Sequence, residues 1–168
     1  MRTTTAAYAM ALAAQLLPAV AAAQQEVILV RHAELQGAAM ADPKSLPLSP
    51  AGKERAQRLA GMLKDCGIAA IYVTDFARTQ QTAQPLSKEL DRPLTVVPKG
   101  DPQQLVERLR KDHAGQAVLL VGHTDTLPGL IKAFGHSGEV KIEPQDYGNL
   151  FVLTPRPEGQ PALLRLRY

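Results

Sequence analysis

Val27-Ile28-Leu29-Val30 runs directly into Arg31-His32, and this junction of four branched apolar residues with two polar nitrogen-bearing side chains decides how the chain is read. A continuous apolar run without polar alternation is a strand covered on both faces, as in a parallel sheet. The pattern recurs down the chain. Ile68 to Thr74 is a second such strand, ending in Thr74-Asp75, and Leu94 to Val97 is a short third. Ala117-Val118-Leu119-Leu120-Val121 is the fourth and runs into Gly122-His123.

Helical stretches separate these strands. Ser49-Pro50 supplies an N-cap and a first-turn proline, Ala56, Leu59, Ala60 and Leu63 repeat at helical spacing, and Gly67 closes a helix from about Pro50 to Cys66. Beyond Asp75 a second helical stretch carries Arg78, Thr79, Thr82, Leu86 and Leu90. Pro85 lies inside it, and its missing N–H predicts a kink or a restart. Asp101-Pro102 opens a third helix through Leu105, Val106 and Leu109, and Thr126 to Phe134 reads as a fourth that stops at Gly135. Asn149 to Thr154 and Ala162 to Tyr168 flank a Pro/Gly-rich turn and predict an antiparallel hairpin. The alternation implies a three-layer α/β/α fold with a mainly parallel central sheet, closed by that C-terminal hairpin. Ligands of such sheets bind beyond the carboxyl ends of the strands.

Size and composition set outer bounds. With 168 residues, 45% of them apolar, the chain can build one core, which predicts a single domain over residues 24–168. Lys and Arg number 19 against 16 Asp and Glu and are spread along the chain, so no basic arm points to nucleic acid. Cys66 is the only cysteine, which excludes an intramolecular disulfide and disfavours a Cys-based zinc site. It reads as a small packed residue and not as a reactive thiol.

The first 23 residues have the layout of a signal peptide. Arg2 is the only charge before Glu26, an Ala/Leu-rich stretch follows, and Ala21 and Ala23 fit the small positions before a cut after Ala23. A periplasmic or secreted mature protein is expected. Pro18 and the weak hydrophobicity of the alanines argue against a stable membrane span after cleavage.

Three strands thus deliver Arg31 and His32, Asp75 and Arg78, and His123 to one rim. Two guanidinium forks and two imidazoles there suit a compact dianion, and a phosphoryl group is the natural occupant. His32, Glu34, His123 and Asp125 are also metal-type donors, but Arg31 and Arg78 beside them would repel a cation, so no metal and no cofactor is expected. Asp75 reads as a helix cap or an arginine partner, and Asp125 reads also as a helix N-cap. His113 and His136 read as helix-end or exposed residues. Lys99, Lys111, Lys132 and Lys141 read as isolated surface charges.

Leu29-Val30-Arg31-His32-Ala33-Glu34, Thr74-Asp75-Phe76-Ala77-Arg78-Thr79-Gln80-Gln81-Thr82-Ala83 and Val121-Gly122-His123-Thr124-Asp125-Thr126 together resemble the histidine phosphatase superfamily, also called the phosphoglycerate mutase-like family. Leu48-Ser49-Pro50-Ala51-Gly52 is similar to the helix opening of its bacterial members, so the resemblance spans nearly the whole mature chain. The resemblance implies that His32 is a nucleophile carrying a phosphohistidine intermediate, while Arg31, Arg78 and His123 bind the phosphoryl oxygens. For the proton donor, Asp125 and Glu34 are the candidates, each two residues from a motif histidine. The implied activity is a metal-independent, acid-phosphatase-type phosphohydrolase acting on an exported or envelope substrate, either a small phosphorylated molecule or a phosphoprotein. A phosphoglycerate mutase-type phosphoryl transferase and a non-catalytic phosphate-binding protein are the alternatives. The chain leaves little room for the cap a mutase needs to keep water out. Should neither carboxylate serve, substrates with good leaving groups, such as phosphoramidates or phosphoanhydrides, are favoured.

Overall fold

The computed structural model describes residues 26–37 and 42–168, so the leader over residues 1–23 lies outside the described residues. Among the described residues, six strands form one sheet in the order β3-β2-β4-β1-β5-β6. The first four, β1 (Glu26–Arg31), β2 (Ile68–Thr74), β3 (Leu94–Val97) and β4 (Ala117–Gly122), pair in parallel. β5 (Asn149–Thr154) lies antiparallel to β1, and β6 (Ala162–Arg167) completes the hairpin. Helices α1 (Pro50–Leu63), α2 (Ala77–Glu89), α3 (Pro102–Asp112) and α4 (Leu127–Ala133) fill the connections. The α/β architecture with its mainly parallel sheet and C-terminal hairpin is the one the apolar runs predict.

Each layer follows from residue pattern. Val27, Leu29 and Leu120 face a core shared with Val106, Leu109, Leu127 and Ile131 of α3 and α4. Ile28, Val30, Ile71 and Val73 face a second core with Leu59 and Leu63 of α1 and Leu86 of α2. Burial on both faces is why these strands lack polar alternation.

Caps set the helix starts. Ser49 Oγ accepts from the Gly52 amide at 3.1 Å, and Asp101 accepts from the Gln103 amide at 2.8 Å. Gly52 has a second purpose, because a Cβ there would lie 2.2 Å from the Glu34 carbonyl oxygen. Only glycine lets α1 press against the loop that follows His32.

Several expectations are corrected. Of the kink or restart expected at Pro85, the restart does not occur: α2 runs through it as one helix, with Thr82, Ala83 and Leu86 buried on either side of the proline. Packing of that face outweighs the lost backbone bond. Cys66 is exposed, its thiol donating to the Met62 carbonyl at 3.5 Å, because the turn at Gly67 carries it off the buried face. Asp75 caps nothing: it pairs with Lys44 at 2.5 Å, and α2 has no side-chain cap. Asp125 likewise pairs with Lys99 at 2.5 Å, so Lys99 is not an isolated charge and Asp125 is not an N-cap. Lys141 lies 3.3 Å from Glu139. His113 accepts from the Tyr72 hydroxyl at 2.9 Å and donates to Gln116, a specific tie between α3 and β2.

Candidate active site

β1 and β4 are neighbours in register, with Arg31 opposite Gly122, so the two motif histidines leave the sheet at the same level. The His32 amide continues the ladder by donating to the Gly122 carbonyl at 2.9 Å. Their rings stand edge to face with centroids 5.4 Å apart. Both are buried, at 5% and 4% relative exposure.

His32 is held by one nitrogen. Its Nδ1 lies 2.9 Å from the Ala33 carbonyl oxygen, which can only accept, so Nδ1 carries the proton. In the neutral ring Nε2 then holds the lone pair. Burial is the main cause that lowers the His32 pKa to about 3, opposed by the Ala33 bond and aided by the charges of Arg78, Arg31 and His123. At neutral pH the ring is uncharged, with its lone pair on Nε2. The neighbouring peptide is fixed too: the Ala33 amide donates to Thr82 Oγ1 at 3.0 Å, and that hydroxyl donates to the Arg78 carbonyl at 2.7 Å.

His123 is held by the other nitrogen. Its Nε2 lies 2.9 Å from Thr74 Oγ1, which lies 2.9 Å from Thr79 Oγ1. Backbone carbonyls of Phe76 and Thr74 accept the Thr79 proton, so Thr79 accepts from Thr74, and Thr74 accepts from His123 Nε2–H. This chain leaves Nδ1 buried without a partner. Burial, then the charges of Arg78 and Lys99, lower the His123 pKa to about 4. Thr126 fixes the backbone, its Oγ1 accepting the His123 amide at 2.9 Å.

The arginines are braced by aromatic rings and backbone oxygens. Arg31 lies over Tyr147 at 4.0 Å and donates to the carbonyls of Glu143 and Pro144 at 3.2 and 2.7 Å. Arg78 lies over Phe76 at 4.1 Å and donates to the Pro43 carbonyl at 2.9 Å. All these bonds use Nη1. Among the described residues, the Nε atoms of both arginines are buried without partners, as is His123 Nδ1. An orphaned buried donor costs roughly 1–3 kcal/mol, so the two free guanidinium Nε–H groups point to an acceptor that would satisfy this site.

The two carboxylates stand apart from this ring. Arg55 grips Glu34 with Nε 2.9 and 3.0 Å from its two oxygens and Nη2 2.7 Å from one of them. Burial raises the Glu34 pKa, but the Arg55 bonds and charge outweigh it and hold the carboxyl below its ordinary value. Asp125 follows the same balance, with burial opposed by the Lys99 bond and charge, and is also lowered. Arg31, His32, Arg78 and His123 are thus brought together, whereas Glu34 and Asp125 are engaged with cations. Thr74, Phe76 and Tyr147 complete the site without having been singled out from the sequence. Thr74 and Phe76 lie inside the quoted Arg78 motif, while Tyr147 lies in an irregular segment and carries no local signal. Among the described residues, no group of three or more His, Cys, Asp or Glu side chains could hold a metal ion. No described helix is long and apolar enough to cross a membrane.

Fold and site define an α/β protein that gathers two histidines and two arginines at its parallel strand ends. The branch 1 model of the histidine phosphatase superfamily matches residues 27–99. No sequence among curated proteins matches it. Solved structures share the fold at low identity. One is the protein histidine phosphatase SixA complexed with tungstate, at 21% identity and a TM-score of 0.70 over 84% of this chain and 96% of that one. A phosphoserine phosphatase from Entamoeba histolytica in complex with 3-phosphoglyceric acid has 17% identity and a TM-score of 0.61, covering 86% and 97% of the two chains. A mycobacterial glucosyl-3-phosphoglycerate phosphatase has 15% identity and a TM-score of 0.60, covering 78% and 90%.

Proposed function

We propose that this chain is a phosphatase that takes a phosphoryl group onto His32 Nε2 and passes it to water. The observation that carries the reading is the His32 Nδ1 bond to the Ala33 carbonyl, which leaves Nε2 as a lone pair beside two arginines. In the first step Nε2 bonds to phosphorus and the leaving group departs with the electron pair of its bond. In the second, water attacks phosphorus, the N–P bond breaks, and inorganic phosphate leaves with His32 restored. The arginines stabilise the charge that spreads over the equatorial oxygens, and their bracing against Phe76 and Tyr147 means little reorganisation accompanies the reaction.

The leaving group is where this site is selective. Glu34 and Asp125 are held ionised by Arg55 and Lys99, and an ionised carboxylate has no proton to give. This supports substrates whose leaving group departs without strong acid assistance: phosphoramidates such as phosphohistidine, phosphoanhydrides and aryl phosphates. The shared fold with a protein histidine phosphatase agrees with that class. The leader pattern before Gln24 supports a substrate outside the cytoplasm.

The test compares phosphoramidate, p-nitrophenyl phosphate and an alkyl phosphate, each with vanadate or EDTA. We expect turnover of the first two, inhibition by vanadate, none by EDTA, and an acid-labile, base-stable phosphate on the quenched enzyme. Equal rates for the alkyl ester would sink the leaving-group reading. A fully active His32→Ala protein would sink the nucleophile.

A further inference from the structure

Behind His123 lies a cavity of about 520 Å³, bounded by the C-terminal ends of β2, β3 and β4, by α3 and by α4. His32, Arg31 and Arg78 are not among its lining residues, so it is not the phosphoryl pocket. Its volume falls within the roughly 300–1,000 Å³ of small-molecule sites. The walls are mainly apolar, with Tyr72, Val97, Leu105, Leu120 and Leu130 among them.

Two features of the chain keep this space open. α3 buries Val106 and Leu109, while Pro102 and Leu105 of its first turns line the cavity. Opposite them stands Gly129 of α4, where a Cβ would meet only Pro102 Cγ, at 3.7 Å. Any larger residue at 129 would extend into the gap between the two helices.

The charged residues of the wall are already matched. Lys99 pairs with Asp125 at 2.5 Å, Asp101 caps α3, and Arg108 lies 3.5 Å from Asp112 and 5.6 Å from the centroid of the Tyr72 ring. No unpaired charge there calls for a counter-ion. The wall nearest the active site consists of the groups that hold His123: Thr74 on its Nε2, Thr126 on its amide, and Asp125, whose charge acts on it.

We propose that this cavity is a second binding site, for an uncharged apolar body of up to three aromatic rings, and that it abuts the phosphoryl site across the Thr74 and Asp125 wall. The body is either the non-phosphoryl part of a substrate or a separate small molecule. Only the first alternative rests on the phosphatase reading.

N-phenyl-1-naphthylamine is a suitable neutral probe, because its fluorescence rises in apolar surroundings and the chain has no tryptophan to interfere. We expect saturable binding to the full chain that weakens at least about tenfold in Gly129→Leu. Leu105→Phe, which fills the space from the α3 side, should weaken it as well and covers the case in which Gly129→Leu does not fold. Absence of saturable binding, or equal binding by the folded filled variants, overturns the site. Displacement of the probe by 1-naphthyl phosphate, with a raised KM for that ester in Gly129→Leu and unchanged phosphoramidate kinetics, assigns the cavity to the substrate. Binding that 1-naphthyl phosphate does not displace assigns it to a separate ligand. A chain that binds the probe yet hydrolyses nothing keeps the cavity and removes the phosphatase reading alone.

Discussion

His32 and His123 sit side by side at the ends of β1 and β4, both buried and both neutral, yet they are held by opposite nitrogens. The Ala33 carbonyl takes the Nδ1 proton of His32 and frees Nε2, whereas Thr74 takes the Nε2 proton of His123 and leaves Nδ1 unpartnered. One residue type is thereby given two roles. A carbonyl within the adjoining residue fixes the proposed nucleophile, and a hydroxyl chain from β2 and α2 fixes a ring whose unprotonated Nδ1 can accept from a protonated phosphoryl oxygen or from water.

The largest test of this difference is truncation of each ring. His32→Ala should lose at least about 10⁴-fold in kcat and all trapped phosphate, while His123→Ala should lose about 10²–10³-fold yet still form the phosphoenzyme. Equal trapping failure in both, seen by quench-flow labelling, would erase the distinction. Thr74→Val removes the acceptor for His123 and should cost about tenfold in kcat with a shifted pH profile. Thr74→Ser should restore the wild-type profile. If valine and serine behave alike, the hydroxyl chain does not position His123.

Stability against pH gives a smaller effect with a definite sign. Both rings have folded pKa values, about 3 and about 4, below the ordinary histidine value of 6.5. Below pH 6.5 the unfolded chain binds protons that the folded chain refuses, so stability is complete above that pH and falls toward pH 4, by at most about 1.4 kcal/mol per pH unit for each ring. Melting curves should show the fall, and His32→Ala should flatten part of it. The smallest effect is expected at the carboxylates: Glu34→Gln and Asp125→Asn should each change kcat on p-nitrophenyl phosphate less than about threefold, since neither is poised to donate a proton. A hundredfold loss in either would identify the missing acid.

The strands were legible because burial on both faces demands unbroken apolar runs, and the helix starts because Ser49-Pro50 and Asp101-Pro102 satisfy orphaned amides locally. Arg31, His32, Arg78 and His123 were legible because each ends or directly follows such a strand, or opens the helix after it. Pro85 does not restart α2, because its cost is local whereas the buried face of α2 packs in a core shared with distant strands. Asp75, Asp125 and Lys99 misled for a related reason, since their partners lie 26 to 31 residues away.

Residue order alone dictates the fold class and which side chains reach the rim, because periodicity and capping act within a few residues. The tautomer of each histidine, the bracing of the arginines by Phe76 and Tyr147, the capture of both carboxylates and the cavity behind His123 arise only when separate segments meet. Hydrogen bonds and ion pairs are set by distances of about 3 Å, and no spacing along a chain specifies those until the sheet has aligned its strands.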